Sequence, residues 1–303
     1  MSPRFRFGVS MVTVESREDW VGKCRRAEAL GYDIIQIGDH IGMPAPFPSI
    51  MLAAEVTSRP RVGAMVINAG FVNPALLARE VFTVDRWTGG RLDIGLGAGY
   101  AREEFKSAGL DWEPAGARVD RLAALVAELD RLAADEEFQP RPLQSPRPPL
   151  TIAAGGDRML RFAARHADTV ALVAIKPAPL DTPNPHVLVD AAGEYVQMSR
   201  AETEERIAFL RASTSARAAE PELNTVAMTV VLTRDRRAAA EHYRALAPAL
   251  TIDELLDQPS VLIGTPQQIA EQLVADRERL GISYITVLEP YLDAFGEVIE
   301  LLK

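Results

Sequence analysis

His40 is the residue best placed to do chemistry. It follows Asp39 directly after the apolar run Ile34–Ile37, and no neighbouring histidine or cysteine indicates a metal site. An imidazole with an ordinary pKa of about 6.5 accepts or donates a proton at neutral pH. We therefore expect His40 to act as an acid/base group, with Asp39 holding a backbone or histidine nitrogen. A purely structural loop histidine is the alternative.

Glycines follow two further predicted strands. The run Gly89–Tyr100 contains a short apolar strand and then Gly97, Ala98, Gly99 and Tyr100, where the missing Cβ atoms favour a turn or the close approach of a ligand. Gly155-Gly156 opens a predicted helix, whose free N–H groups and positive dipole end favour an anion. We expect a phosphate there, with a plain strand-to-helix turn as the alternative. The run at Gly97 lacks the spacing of a dinucleotide fingerprint.

Two acidic residues, Glu103 and Glu104, lie in a segment without clear periodicity, residues 100–116. They could form an acid/base pair, but we interpret them as a solvated turn over the site.

The elements that must position these residues alternate regularly along the chain. Eight short β runs separated by helices predict parallel pairing through right-handed crossovers, and the number eight favours a closed barrel. The fold class is therefore α/β, a (β/α)8 TIM barrel, whose chemistry lies at the carboxyl ends of the strands. The runs are Phe5–Val9, Ile34–Ile37, Val62–Ile67, Leu92–Leu96, Leu150–Ala153, Thr169–Val173, Thr225–Leu232 and Tyr284–Leu288.

The domain organisation follows from this repeat. Residues 138–149 are rich in proline, but the alternation of strand and helix continues beyond them, so we expect one domain over residues 1–303. Residues 174–200 are irregular and predict an insertion after strand six that acts as a lid.

Composition excludes several classes of function. A net charge of −9 without a basic block argues against a nucleic-acid partner or an anionic membrane surface. No run of 18 apolar residues and no signal segment occurs, so we expect a cytoplasmic protein. The one cysteine, Cys24, excludes an internal disulfide or a cysteine-rich metal site.

These residues resemble the luciferase-like flavin and deazaflavin oxidoreductases, and most of all their branch that uses coenzyme F420. The resemblance covers nearly the whole chain, and its motifs occur in family order. They are Ile37-Gly38-Asp39-His40, Phe71-Val72-Asn73-Pro74, the run Gly89–Tyr100, Ala153-Ala154-Gly155-Gly156, Ala167-Asp168 and Ile263-Gly264-Thr265-Pro266.

The resemblance implies a TIM barrel, often a homodimer, with a (deaza)flavin across the strand ends and a small-molecule substrate. It implies a bulge with a non-proline cis peptide at Ala64-Met65 that supports the ring, and His40 as the acid/base. Cofactor phosphate would contact Ala154, Gly155 and Gly156. The remaining cofactor-binding positions that we expect are Asp39, Asn68 and Gly97 to Tyr100.

This sequence departs from the sugar-phosphate dehydrogenases of that branch. Pro44 and Tyr100-Ala101 stand where those enzymes carry a tryptophan and a glutamate, so a glucose-6-phosphate-type substrate is not indicated. Loop residues would instead recognise the substrate: Phe47, Phe71, Tyr100, Trp112 and the excursion Lys176–Arg200.

Two alternative functions stay open: an FMN-dependent monooxygenase that uses reduced flavin and O₂, and a noncatalytic flavin-binding barrel.

Overall fold

The chain folds around a closed ring of parallel strands. The structure is a computed structural model that describes residues 4–13, 15–173, 175–177, 195–214, 219–244 and 250–303. Its strands are β1 (Arg6–Met11), β2 (Ile34–Ile37), β3 (Arg61–Ala64), β4 (Ile67–Asn68), β5 (Leu92–Gly97), β6 (Leu150–Ala154), β7 (Thr169–Leu172), β8 (Ile175–Pro177), β9 (Tyr195–Gln197), β10 (Glu222–Ala227), β11 (Thr229–Leu232), β12 (Val261–Gly264) and β13 (Ile282–Leu288).

The main sheet has the order β3-β2-β1-β13-β10-β7-β6-β5-β4, and all neighbouring strands are parallel. β3 also pairs with β5, where Val62 is opposite Leu92, and this pairing closes the ring. β4 continues the course of β3 after a short break, so the ring has eight positions. The predicted TIM barrel is confirmed.

Helices surround the ring and connect its strands. They are α1 (Arg17–Leu30), α2 (Pro46–Val56), α3 (Pro74–Trp87), α4 (Arg102–Ser107), α5 (Ala115–Ala134), α6 (Asp157–His166), α7 (Arg200–Ser213), α8 (Arg236–Arg244), α9 (Ile252–Leu256), α10 (Pro266–Leu280) and α11 (Leu292–Leu302). Along the described stretches, none of these helices combines the length and the apolar character needed to cross a bilayer.

Local sequence signals explain where several helices begin and end. Thr265 caps α10 through a capping box with Gln268, with Pro266 in the first turn. Gly31 ends α1 in the left-handed conformation at φ 90°, which a residue with a Cβ adopts only at a cost.

Charged side chains close the barrel at the amino ends of its strands. Asp93 of β5 is 4% exposed and accepts hydrogen bonds from Arg6 of β1 and Arg61 of β3. Arg6 also pairs with Glu222 at 3.2 Å, and its guanidinium carbon lies 4.5 Å from the centre of the Tyr284 ring. This end of the barrel is thus a network of paired charges, and the opposite end holds the polar groups considered for function.

The predicted seventh strand, Thr225–Leu232, is wrong in one respect. The chain forms β10 in the barrel and then β11, which leaves the barrel and pairs in parallel with β12. The break follows Ala227, because the backbone N–H of Met228 donates to Ser260 of the segment before β12 rather than to β13. Apolar periodicity continues through both strands, so it could not reveal the change of partner.

Most of the predicted excursion, residues 178–194, lies outside the described residues. Its two described ends pair as the antiparallel strands β8 and β9. The predicted lid therefore stays a prediction.

Candidate active site at the carboxyl ends of the strands

His40 lies in the loop that follows β2, with its side chain 35% exposed. Its Nδ1 atom is 2.7 Å from Oε1 of Glu104, whose side chain is 20% exposed. The ring of Tyr100 meets the imidazole edge to face, with 5.8 Å between the ring centres. A titratable ring, a carboxylate and a phenol therefore converge at the mouth of the barrel.

Glu104 was missed by the sequence reasoning, which interpreted Glu103 and Glu104 as a solvated turn. The Glu103 side chain is indeed 80% exposed and pairs only with Lys106 among its described neighbours. Glu104 lies on the other side of α4 and faces His40, because successive helical residues point about 100° apart. A carboxylate in the first turn of the helix that follows β5 and its glycine turn was the signal that could have identified it.

Aromatic packing holds α4 in place. Phe105, next to Glu104, is 3% exposed, and its ring centre lies 5.1 Å from those of both Phe71 and Trp112. The guanidinium of Arg118 lies 3.7 Å from the centre of the Trp112 ring and donates from Nε to the carbonyl of Gly99 at 3.2 Å. These contacts connect α4, the start of α5 and the glycine turn after β5.

Asp39 has a positioning contact of its own. Its Oδ2 accepts a hydrogen bond from the backbone N–H of Asn68 at 3.0 Å, as expected for a backbone-holding carboxylate. Burial raises the pKa of Asp39 above its ordinary value, and the charge of Glu104 adds to this, while the Asn68 N–H and His40 act in the opposite direction. Asn68 in turn accepts from the N–H of Gly70 at 2.9 Å, so the loops after β2 and β4 are joined.

The cis peptide bond expected at Ala64-Met65 lies one residue later, between Met65 and Val66. The backbone N–H of Met65 donates to the carbonyl of Ile37 at 2.9 Å, so the chain still follows the ladder with β2 at that point. The break in the strand comes only after Met65, between β3 and β4.

Glycines in β5 accommodate this break. A Cβ on Gly97 would lie 2.6 Å from Cγ2 of Val66, and a Cβ on Gly95 would lie 2.2 Å from the carbonyl oxygen of Ala64. Gly99 has φ +80°, and a Cβ there would lie 2.6 Å from Oδ1 of Asn68. The predicted glycine turn thus fits closely against the neighbouring loop.

The turn after β6 has the geometry of an anion site. Gly156 is the N-cap of α6, no side chain caps this helix start, and a Cβ on Gly156 would meet no atom within 4 Å. The backbone before it is tight, since a Cβ on Gly155 would lie 2.9 Å from the carbonyl oxygen of Val173. Backbone N–H groups at a helix start without a side-chain cap can bind an anion, so Ala154, Gly155 and Gly156 are candidates for holding the phosphate of a cofactor.

Comparison with known proteins decides the family. The sequence model of the luciferase-like monooxygenases matches residues 4–182, which is more than half of the chain. The chain belongs to the luciferase-like monooxygenase family.

The relatives of this chain include F420-dependent and flavin-dependent enzymes. The chain is 32% identical over 171 residues to the F420-dependent glucose-6-phosphate dehydrogenase of Kribbella flavida, covering 50% of this chain and 51% of that protein. It is 29% identical over 175 residues to the oxygenase component of the flavin-dependent trigonelline monooxygenase of Acinetobacter baylyi, covering 52% and 49%. The match spans about half the length of each of these curated relatives.

A solved structure with the same fold covers almost the whole chain. The F420-dependent secondary alcohol dehydrogenase in complex with an F420-acetone adduct superposes with a TM-score of 0.71 over 99% of this chain and 100% of that one, at 17% identity. At 17% sequence identity, this similarity establishes the barrel fold alone.

Contacts in the structure bring together many of the site residues that were predicted from the sequence. His40 is in ring contact with Tyr100, Asp39 is hydrogen-bonded to Asn68, and Gly99 packs closely against Asn68, so these five residues lie together. Gly97 and Ala98 lead towards them along β5, and Ala64 and Met65 lie at the end of β3. Ala154 ends the neighbouring strand β6, and Gly155 and Gly156 follow it.

A surface groove of about 690 Å³ lies elsewhere, between α7, α8, α9 and α10, and is lined by residues such as Arg236, Asp253 and Gln272. None of the predicted site residues lines it.

Proposed function

We propose that this protein is a coenzyme F420-dependent oxidoreductase that transfers a hydride between the deazaflavin and a small organic substrate, with His40 as the acid/base. The observation that carries the proposal is the pairing of His40 with Glu104 at the barrel mouth. The uncapped glycine start of α6 lies at the same end of the barrel. A proton-handling group and a helix start suited to an anion, both at the carboxyl end of the barrel, fit such a reaction.

The described residues would hold the cofactor at two places. Backbone N–H groups at Gly155 and Gly156 would bind its phosphate, with Ala154 beneath them. The chain between Met65 and Asn68 and the turn from Gly97 to Tyr100 would support its ring. When bound, the cofactor supplies a carbon that accepts or donates hydride.

His40 would handle the proton that accompanies the hydride. In the oxidising direction the imidazole takes a proton from the substrate, and in the reducing direction it returns one. Asp39 keeps the loop in position through Asn68, and Tyr100 covers one edge of the imidazole.

An FMN-dependent monooxygenase is the second candidate. The 29% identity to a flavin-dependent oxygenase component supports it, and FMN also carries a phosphate that the start of α6 would bind. Both candidate functions would use the same cofactor-binding residues, and they differ in whether the site binds a deazaflavin or a flavin ring more tightly.

Cofactor titration tests the proposal. Purified apoprotein is titrated separately with F420 and FMN, and quenching of the fluorescence of its three tryptophans is followed. We expect tighter binding of F420; preference for FMN would move the function to a monooxygenase, and binding of neither would refute both.

Two variants separate catalysis from cofactor binding. We expect His40→Ala to bind cofactor normally but to lose about 10²- to 10⁴-fold in kcat, the usual range for an acid/base group. We expect Gly156→Asp to bind weakly, because a carboxylate would occupy the phosphate position. Unchanged physiological activity in His40→Ala would instead favour a noncatalytic flavin-binding barrel.

The resemblance also supports a homodimer as part of this proposal. Light scattering on the purified protein tests it, and a monomeric mass at micromolar concentration would refute it.

A further inference from the structure

The contact between His40 and Glu104 determines which nitrogen of the imidazole carries a proton. A carboxylate only accepts hydrogen bonds, so Nδ1 at 2.7 Å from Glu104 Oε1 must be the donor. In the neutral ring Nε2 then carries no hydrogen and presents a lone pair. The partner of one ring nitrogen thereby defines the chemistry of the other.

The other groups around the imidazole do not compete for Nδ1. Asp39, on the same loop, uses Oδ2 to accept from the backbone N–H of Asn68. Tyr100, from the turn after β5, meets the imidazole edge to face, with 5.8 Å between the ring centres. Glu104 from α4 is thus the carboxylate that orients the imidazole.

The position of Glu104 is built into the fold. The neighbouring Phe105 is buried between Phe71 and Trp112, and Arg118 covers Trp112. A carboxylate on a helix anchored in this way keeps its distance from His40 without losing much conformational freedom when the contact forms.

We propose that Glu104 is a positioning residue that holds neutral His40 in its Nδ1–H form, so that Nε2 is the atom that takes up the substrate proton. This inference rests on the proposed function. Loss of a proton to Nε2 together with loss of a hydride from the adjacent carbon is the oxidation of an alcohol to a carbonyl compound, so we take this couple as the substrate class. In the oxidising direction the substrate C–H bond breaks and its electron pair leaves as hydride to the cofactor. The O–H bond breaks, its proton goes to Nε2, and a C=O bond forms.

Nitrogen NMR of the apoprotein tests the tautomer without any cofactor. The full chain is labelled with ¹⁵N-histidine, and comparison with His40→Ala assigns the His40 signals among those of the four histidines. At a pH at which the imidazole is neutral, we expect the wild-type His40 to carry its proton on Nδ1 and none on Nε2. Glu104→Ala should show exchange between both tautomers.

The chain offers a matched control on the same helix. Glu103 carries the same charge one residue away, but its side chain is 80% exposed and contacts Lys106. Glu103→Ala should keep the wild-type histidine spectrum. An Nε2–H form in the wild type, or equal changes in the Glu103→Ala and Glu104→Ala spectra, would overturn the inference.

Steady-state kinetics provides the second readout. We expect Glu104→Ala to lower kcat on an alcohol about 10- to 100-fold, by analogy with the loss seen when the hydrogen-bond partner of a metal-ligating histidine is removed, with little change in KM. The double variant His40→Ala/Glu104→Ala should be no slower than His40→Ala, because Glu104 acts through His40. Additive losses would overturn the positioning role.

The proposed function and the proposed role of Glu104 can be refuted independently. If His40→Ala keeps full activity, the acid/base role in the proposed function is refuted, whereas the NMR result on Glu104 still decides the tautomer.

Discussion

Replacing Gly99 with alanine tests whether the glycine turn after β5 is required by close packing. Gly99 has φ +80°, and an added Cβ would lie 2.6 Å from Oδ1 of Asn68 and 2.9 Å from Cε2 of Phe105. Neither neighbour can move easily, because Asn68 accepts from the N–H of Gly70 and Phe105 is packed between two other aromatic rings. The substitution therefore combines backbone strain with a steric overlap.

Gly109 provides the control that separates these two costs. It has φ +69°, and a Cβ there would meet no atom within 4 Å. A left-handed residue with a Cβ costs about 1–2 kcal/mol, and the less flexible unfolded chain offsets about 0.4–1 kcal/mol. Gly109→Ala should then cost about 1 kcal/mol. Overpacking adds about 1–3 kcal/mol, so Gly99→Ala should cost about 2–4 kcal/mol.

Urea unfolding measures both variants. Tryptophan fluorescence and far-ultraviolet circular dichroism are followed together to check that a single transition is being compared. The midpoint of Gly99→Ala should fall well below that of Gly109→Ala at an unchanged m-value, and cofactor affinity should fall with it, since Asn68 and Phe105 border the site. Equal midpoints for the two variants would refute the packing argument.

Three further substitutions or measurements test other parts of the structure. Asp93→Ala leaves the guanidiniums of Arg6 and Arg61 without their shared carboxylate, and because they are 21% and 30% exposed we expect a loss near the lower end of about 3–5 kcal/mol, measured by urea unfolding. A loss below about 1 kcal/mol would contradict this network. Burial raises the pKa of Asp39 above 3.8, so the folded chain binds this proton more tightly than the unfolded chain and wild-type stability falls as pH rises through the folded-state pKa. Asp39→Asn keeps an oxygen that accepts the backbone hydrogen bond, but it has no carboxyl group to ionise and so does not lose stability in this way. The melting temperature of Asp39→Asn minus that of the wild type should therefore increase from about pH 4 to about pH 7. If this difference in melting temperature does not change with pH, ionisation of Asp39 does not lower the stability of the folded chain. Burial raises the pKa of the Cys24 thiol to about 12, so a thiol reagent at mild alkaline pH should label the native chain hardly at all and the unfolded chain once.

The alternation of strands and helices was readable from the sequence because each signal is local. Apolar runs such as Ile34–Ile37, proline in the first turn of a helix and glycine at its end depend on backbone conformation over a few residues. Eight such units in one chain leave few arrangements other than the closed barrel. The position of His40 at the end of β2 followed from the same local signals.

The sequence also indicated two local features of the candidate site before any contact was known. Gly155-Gly156 forms an uncapped helix start, and Asp39 holds a backbone nitrogen, as the sequence predicted. Which cofactor and substrate these residues serve depends on the dimensions and charge of the mouth as a whole, which no short motif encodes.

Other features depended on contacts between distant segments. The partner of His40 is 64 residues away in the chain, and the helical phase that turns Glu104 inward and Glu103 outward is set by the packing of Phe105. The exit of β11 from the barrel likewise depends on which strand supplies the next hydrogen-bond partner. The sequence by itself determined the barrel and the place of its histidine, since both arise from local backbone preferences. Only the tertiary structure decided which carboxylate faces that histidine, because this depends on side chains that meet through folding.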